Sequence, residues 1–173
     1  MTQDLFTPED SAVLLIDHQR GTMSWVQSIP LEQMRANALA LARAAKALDM
    51  PLVLTSSLEN QLQGPLTEEL AEIAPAEYEG RIQRSGVVNA LDDPDFAAAV
   101  QATGRRNLII AGVTNDVCTV YPTLTALQQG YRVQVVAGAT LTSTNMILTE
   151  LAVSWASPAG QALQPIVGAL IPT

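Results

Sequence analysis

The sequence predicts an α/β fold, a doubly wound (Rossmann-like) parallel sheet of five to six strands with helices on both faces. Three observations carry this. Short apolar runs recur at residues 11–17, 52–55 and 107–112, as expected of strands buried on both faces, and residues 132–137 read as a further strand. Segments with apolar residues three and four apart lie between them. Turn and cap residues mark the junctions, among them Pro51, the Asp93-Pro94 pair, Gly104 and Gly130. Strand and helix alternating five or six times defines a parallel sheet with crossover helices. In such sheets ligands bind beyond the carboxyl ends of the strands, where the winding reverses.

The elements follow in order. Residues 11–17 form the first strand. Leu31, Met34, Ala38, Leu41, Ala45 and Leu48 then make one apolar stripe, with Arg35, Arg43 and Lys46 off it, the pattern of an amphipathic helix. Pro51 stops that helix and 52–55 is the second strand. Residues 66–73 read as a short acidic helix, and 74–91 as irregular with a short strand over 81–84. Asp93 is a capping side chain before Pro94 at the first helical position; the helix it opens ends at Gly104, a left-handed cap. Residues 107–112 are a strand, 116–129 a helix closed by Gly130, 132–137 a strand, 143–155 a helix and 165–170 a last strand.

Composition narrows the function classes. The 173 residues are the length of one domain, taken as 1–173. Apolar residues make up 48% and charged ones 15%, against an average of about 25% charged, which excludes a disordered chain. The charge balance is 9 basic against 17 acidic residues, net −8, with a pI of 4.4. Nucleic acid and anionic membrane surfaces are poor partners for such a chain. No apolar stretch has the roughly 18–20 residues of a membrane span, and residues 1–10 lack the pattern of a signal peptide; the expected compartment is the cytoplasm. One Cys and one His exclude a Cys/His zinc site, so no metal and no cofactor is expected. The low charge also points to self-association, with Val153, Trp155 and Val167 as candidate contacts.

Three residues could carry chemistry. Asp17 follows five apolar residues at a strand end, where a carboxylate is partly desolvated, rigidly held and suited to proton transfer; a turn or helix cap is the plainer reading. Cys118 lies six residues past the strand end at Gly112. A helix N-terminus there would favour a thiolate and hold an oxyanion, although a lone Cys is more often a small buried hydrophobe. Pro122 interrupts the helical pattern just after it. Arg84 stands in an irregular stretch and by itself reads as a solvated charge. His18 adjoins Asp17, so strand alternation turns it to the other face, as a packed or subunit-contact residue. The run 92–95 reads as a helix cap. Phosphate-binding glycine loops, the Gly-x-Ser-x-Gly elbow and the Cys-phosphatase spacing are absent.

Three segments together carry a family resemblance: 12–19 (AVLLIDHQ), 84–93 (RSGVVNALDD) and 108–118 (LIIAGVTNDVC). They resemble the isochorismatase-like cysteine hydrolases, in particular their YcaC-like branch, and the likeness runs over about 10–165. It implies an Asp–Lys–Cys triad. The Asp falls on Asp17, the Cys on Cys118, and the Lys position on Arg84. Arginine is always protonated, so it can hold a thiolate or carboxylate but cannot exchange protons. The resemblance further implies a cis peptide at Val113–Thr114, with the Thr114 and Cys118 N–H groups forming an oxyanion hole. Segment 138–145 lacks the acidic residue relatives often carry there, and metal-dependent nicotinamidase chemistry is disfavoured with His18 as the only histidine.

The reading that results is a hydrolase of a small-molecule C–N bond, amide or carbamoyl, working through a Cys118 thioester. Gln19, Trp25, Asn89 and Tyr121 are candidate substrate contacts. The resemblance implies homo-oligomers larger than a dimer, up to octamers. The competing reading is a non-catalytic or redox-responsive oligomer with Cys118 as an oxidisable thiol.

Overall fold

The computed structural model describes residues 5–136, 148, 151 and 157–168. Their order is β1 (Ser11–Ile16), α1 (Arg20–Ser24), α2 (Leu31–Ala47), β2 (Leu52–Ser57), α3 (Glu69–Ile73), α4 (Pro75–Glu79), β3 (Ile82–Arg84), a 3-10 turn (Ala90–Asp92), α5 (Pro94–Ala102), β4 (Asn107–Gly112), a π-turn (Asn115–Thr119), α6 (Val120–Gln128), β5 (Arg132–Val135) and α7 (Pro158–Gly168). Among the described residues the strands form one parallel sheet, ordered β3-β2-β1-β4-β5. The winding reverses between β1 and β4.

Strand β1 is central, and its alternation divides the core. Val13 and Leu15 pack with Leu54, Ile109, Leu41 of α2 and Leu163 of α7. Leu14 and Ile16 face the other way, onto Phe96 and Val100 of α5 and Ala126 of α6. Both faces are covered by helices, so every residue of β1 is buried. This is why the run carries no polar alternation. The Asp93 carboxylate accepts from the Asp95 and Phe96 N–H groups at 3.1 and 3.0 Å and caps α5.

Several elements differ from the sequence expectation. Residues 165–170 were expected as a strand, but Pro158–Gly168 is helical. Leu163 and Val167, one turn apart, lie against the α2 face of the core, and this packing offsets the N–H that Pro165 lacks. Val167 therefore packs on its own chain. The irregular stretch contains α4, opened by Pro75 in its first turn. Helix α1 lies in a segment with no clear periodicity. The single helix expected over 116–129 divides into the π-turn and α6, which places Pro122 in the first turn of α6, where its missing N–H has no intrahelical partner to lose. Segment 138–145, Val153, Trp155 and all of the helix expected over 143–155 except Leu148 and Leu151 lie outside the described residues; those two are helical and buried in the core.

Candidate active site

Asp17, Arg84, Thr114 and Cys118 come from the carboxyl ends of β1, β3 and β4, at the reversal of the winding. Their convergence follows from the register. Ile16 of β1 pairs with Thr55 and Gly112, and Ser57 pairs with Arg84, so the strand ends lie side by side. Asp17 has φ 59°, in the left-handed region, which Asp tolerates better than most residues. Its N–H donates to the Thr55 carbonyl at 3.0 Å, and its carbonyl accepts from the Gln19 N–H at 2.7 Å. This turn ends the strand and frees the carboxylate.

Arg84 is buried, and four of its five N–H donors are engaged. Its Nη2 donates to both Asp17 carboxylate oxygens at 2.5 Å, its Nε donates to Thr55 Oγ1 at 3.0 Å, and its Nη1 donates to the Val87 carbonyl. Thr55 in turn donates to the Ile82 carbonyl at 2.8 Å. A planar fork of donors suits this arrangement in a way an ammonium group would not.

Cys118 lies in the π-turn, partly buried beside the ion pair. The Asp17 carboxylate and the Thr114 N–H both lie close enough to act on its thiol. The expectation of a favoured thiolate is corrected here. Burial, followed by the adjacent Asp17 charge and its acceptor oxygens, pushes the Cys118 thiol up to about 12. Arg84 and the Thr114 N–H pull the other way and do not outweigh them. The balance favours the protonated thiol beside the carboxylate.

The Val113–Thr114 peptide is cis. Of the two N–H groups named for an oxyanion hole, that of Thr114 lies close to the sulfur, while that of Cys118 donates to the Thr114 carbonyl at 2.8 Å. Gly112 makes this close packing feasible: a Cβ there would lie 2.6 Å from the Cys118 carbonyl oxygen.

The cluster opens on a cleft of about 250 Å³. Trp25, half exposed at 52%, stands at its rim with Leu58, Val88 and Val117. Of the four expected substrate contacts, Trp25 and Gln19 line the cleft and Asn89 and Tyr121 do not. The Gln19 side chain lines the cleft, but its amide is taken up by backbone: Nε2 donates to the Ser57 and Gly64 carbonyls at 2.8 and 2.5 Å, and Oε1 accepts the Ser57 N–H at 2.9 Å. It ties the ends of β1 and β2 together. Asn89 lies outside the described lining; it caps the 3-10 turn through Leu91 and joins it to α6 through Thr125. Tyr121 also lies outside that lining and is exposed on α6. Thr22, on α1, was not anticipated. It lines the cleft, is 6% exposed, and its hydroxyl has no partner. No periodicity or motif marks it, because only the fold of the β1–α2 connection brings it to Cys118.

A second cavity, about 380 Å³, shares only Val113 and Thr114 with this cleft among the described lining. His18 and Asn37 line it together with apolar side chains such as Met34 and Leu41. His18 is thus on the α2 side, away from Cys118. Among the described residues no group of three or more His, Cys, Asp or Glu is placed to hold a metal ion, and no helix is long and apolar enough to cross a membrane.

A parallel sheet with Asp, Arg and Cys joined at its switch point, beside a cis peptide, defines a recognisable class. The chain belongs to the isochorismatase family: the Isochorismatase domain model matches residues 11–161. Among its relatives, the probable hydrolase YcaC of Escherichia coli (strain K12) is 45% identical over 131 residues, covering 75% of this chain and 62% of that protein. The alignment therefore spans under two thirds of that relative's length. YcaC from Pseudomonas aeruginosa, solved with hexane-2,5-diol and covalent acrylamide, superposes with a TM-score of 0.83 at 34% identity, covering 98% of this chain and 95% of that one. The crystal structure of the E. coli YcaC gene product, described as an octameric hydrolase of unknown specificity, gives 0.76 at 36% identity, covering 92% and 82%.

Proposed function

We propose that this chain is a cysteine hydrolase that cleaves a C–N bond, amide or carbamoyl, in a small molecule through a Cys118 thioester. The observation that carries the reading is the position of the Asp17 carboxylate, bonded to Arg84 on one side and next to the Cys118 thiol on the other. A neutral thiol beside a base needs no prior ionisation. As sulfur attacks the carbonyl carbon, its proton passes to Asp17, and the oxygen accepts the Thr114 N–H; the Cys118 N–H contributes by sharing its hydrogen with the Thr114 carbonyl. The C–N bond then breaks as Asp17 returns the proton to the leaving nitrogen. Water attacks the thioester while Asp17 takes its proton and delivers it to the departing sulfur. The products are an acid and an amine, and the enzyme is restored. Arg84 remains charged throughout and orients Asp17.

The relatives support this reading at the level of class. The P. aeruginosa protein carries covalent acrylamide, an electrophile of the kind thiols add to. The protonated state of Cys118 weighs against the redox reading, since oxidation follows thiolate character. Assembly is part of the proposal. Val120, Leu124 and Leu127 form an exposed apolar stripe on α6, with Tyr121 beside it, which suits contact with a second copy. The octameric E. coli relative agrees with such assembly. A single domain in the cytoplasm completes the reading.

The test is a panel of primary amides, ureas and carbamates, followed by ammonia release and by intact mass after acid quench. An acyl adduct on Cys118, absent in Cys118→Ala together with turnover, is expected. Turnover that survives Cys118→Ala, or no turnover and no adduct with any member, contradicts it.

A further inference from the structure

We infer that the Cys118 cleft selects an uncharged substrate: a small carboxamide whose polar group meets the Thr22 hydroxyl and whose short apolar part lies against Trp25, Leu58, Val88 and Val117. The inference rests on the hydrolase reading for the word substrate, but its binding content stands on the cleft itself.

Charge is the first argument. Among the described lining the charged side chains are Asp17 and Arg84, and each is the other's partner. Arg84 also donates to Thr55 and Val87, which leaves one Nη1 N–H and no paired edge for the two-point contact that holds a substrate carboxylate. No other cationic side chain can come from the rest of the chain. All nine lysines and arginines fall among the described residues, and Arg84 is the one lining the cleft. An anion placed beside Cys118 would thus meet the Asp17 carboxylate without a counter-charge. A cationic substrate has no better place, because Asp17 is already paired.

Polarity and size are the second. Thr22 lines the cleft with its hydroxyl buried and without a partner, among the apolar side chains of Trp25, Leu58, Val88 and Val117. Buried polar groups are nearly always hydrogen-bonded, and a neutral amide offers this hydroxyl both a donor and an acceptor. The volume of about 250 Å³ falls below the range of about 300–1,000 Å³ typical of drug-sized ligands. The acyl part is therefore short.

Alkylation reads charge selection without any turnover, so failure of this inference is separable from failure of the hydrolase reading. Cys118 is modified with iodoacetamide and with iodoacetate, each rate divided by that of free β-mercaptoethanol. The neutral reagent is expected to be favoured by at least about tenfold. Val88→Arg, which adds a cation at the rim, is expected to narrow that ratio. Butyramide is expected to protect Cys118, succinamate and β-alaninamide much less, and Thr22→Val to weaken the protection severalfold when each variant is compared with its own unprotected rate. Equal normalised rates, faster reaction with iodoacetate, protection by succinamate equal to that by butyramide, or a Cys118 that neither reagent reaches would overturn the inference.

Discussion

The Cys118 cleft and the cavity around His18 and Asn37 share the Val113–Thr114 wall and treat their buried ionisable groups in opposite ways. In the cleft, Asp17, Arg84, Thr55 and Gln19 form a connected network. In the cavity, His18 Nδ1 and both polar atoms of the Asn37 side chain have no partner. The two regions begin from adjacent residues of one strand end. A charge can be kept buried at Asp17 because a guanidinium and strand-end backbone surround it. His18 has neither, and burial alone pushes its pKa down to about 4. Burial by itself thus produces a neutral side chain, whereas burial beside a matched partner holds a charged pair next to a nucleophile.

The largest expected effect comes from breaking the network. Arg84→Met leaves Asp17 buried without its counter-charge, and loss of one partner of a buried pair typically costs about 3–5 kcal/mol. Urea unfolding is expected to show a loss of that size, with a smaller one for Arg84→Lys. Equal midpoints for Arg84→Met and the parent would mean that the pair is not buried in solution.

The cavity predicts a pH dependence of stability. An unfolded histidine takes up a proton below about 6.5, whereas folded His18 stays neutral down to about 4. Between those values the unfolded state binds more protons, so stability falls as pH drops from 6.5 to 4, by about 3 kcal/mol in all. His18→Leu is expected to remove that slope. An unchanged slope in the variant would assign it to other groups.

The smallest effect belongs to Asn37. Replacing a buried side chain that has no partners by an apolar one of similar size is nearly neutral or stabilising. Asn37→Leu is expected to stay within about 1 kcal/mol of the parent or exceed it. A loss well beyond that in thermal or urea unfolding would show that Asn37 has a polar partner, and the contrast with the cleft would weaken.

The sheet was legible because β1 and β4 are buried on both faces and read as unbroken apolar runs. Their ends pointed to Asp17 and to the segment holding Cys118. Arg84 was legible only through the family resemblance, since its ion pair with Asp17 depends on the β2–β3 register rather than on anything nearby in sequence. The protonation of Cys118 was misread for a related reason: a helix N-terminus argues for a thiolate, but the group sits in a π-turn against a carboxylate contributed by β1. Gln19 and Asn89 have side chains suited equally to substrate and to backbone, and sequence does not say which will claim them. Residues 165–170 were read as a strand, while the Leu163 and Val167 packing that stabilises the helix there is tertiary.

The central claim is that Cys118 is a neutral thiol beside the Asp17 carboxylate, and its alkylation rate by iodoacetamide as a function of pH tests this most directly. For the parent protein the rate is expected to keep rising through alkaline pH with no plateau near the free-thiol value of about 8.5. In Asp17→Asn, loss of the neighbouring charge is expected to shift the profile to lower pH by about 1–3 units, while turnover is lost. A parent profile that levels off below about 8.5, or an Asp17→Asn profile that overlays the parent's, would contradict the account.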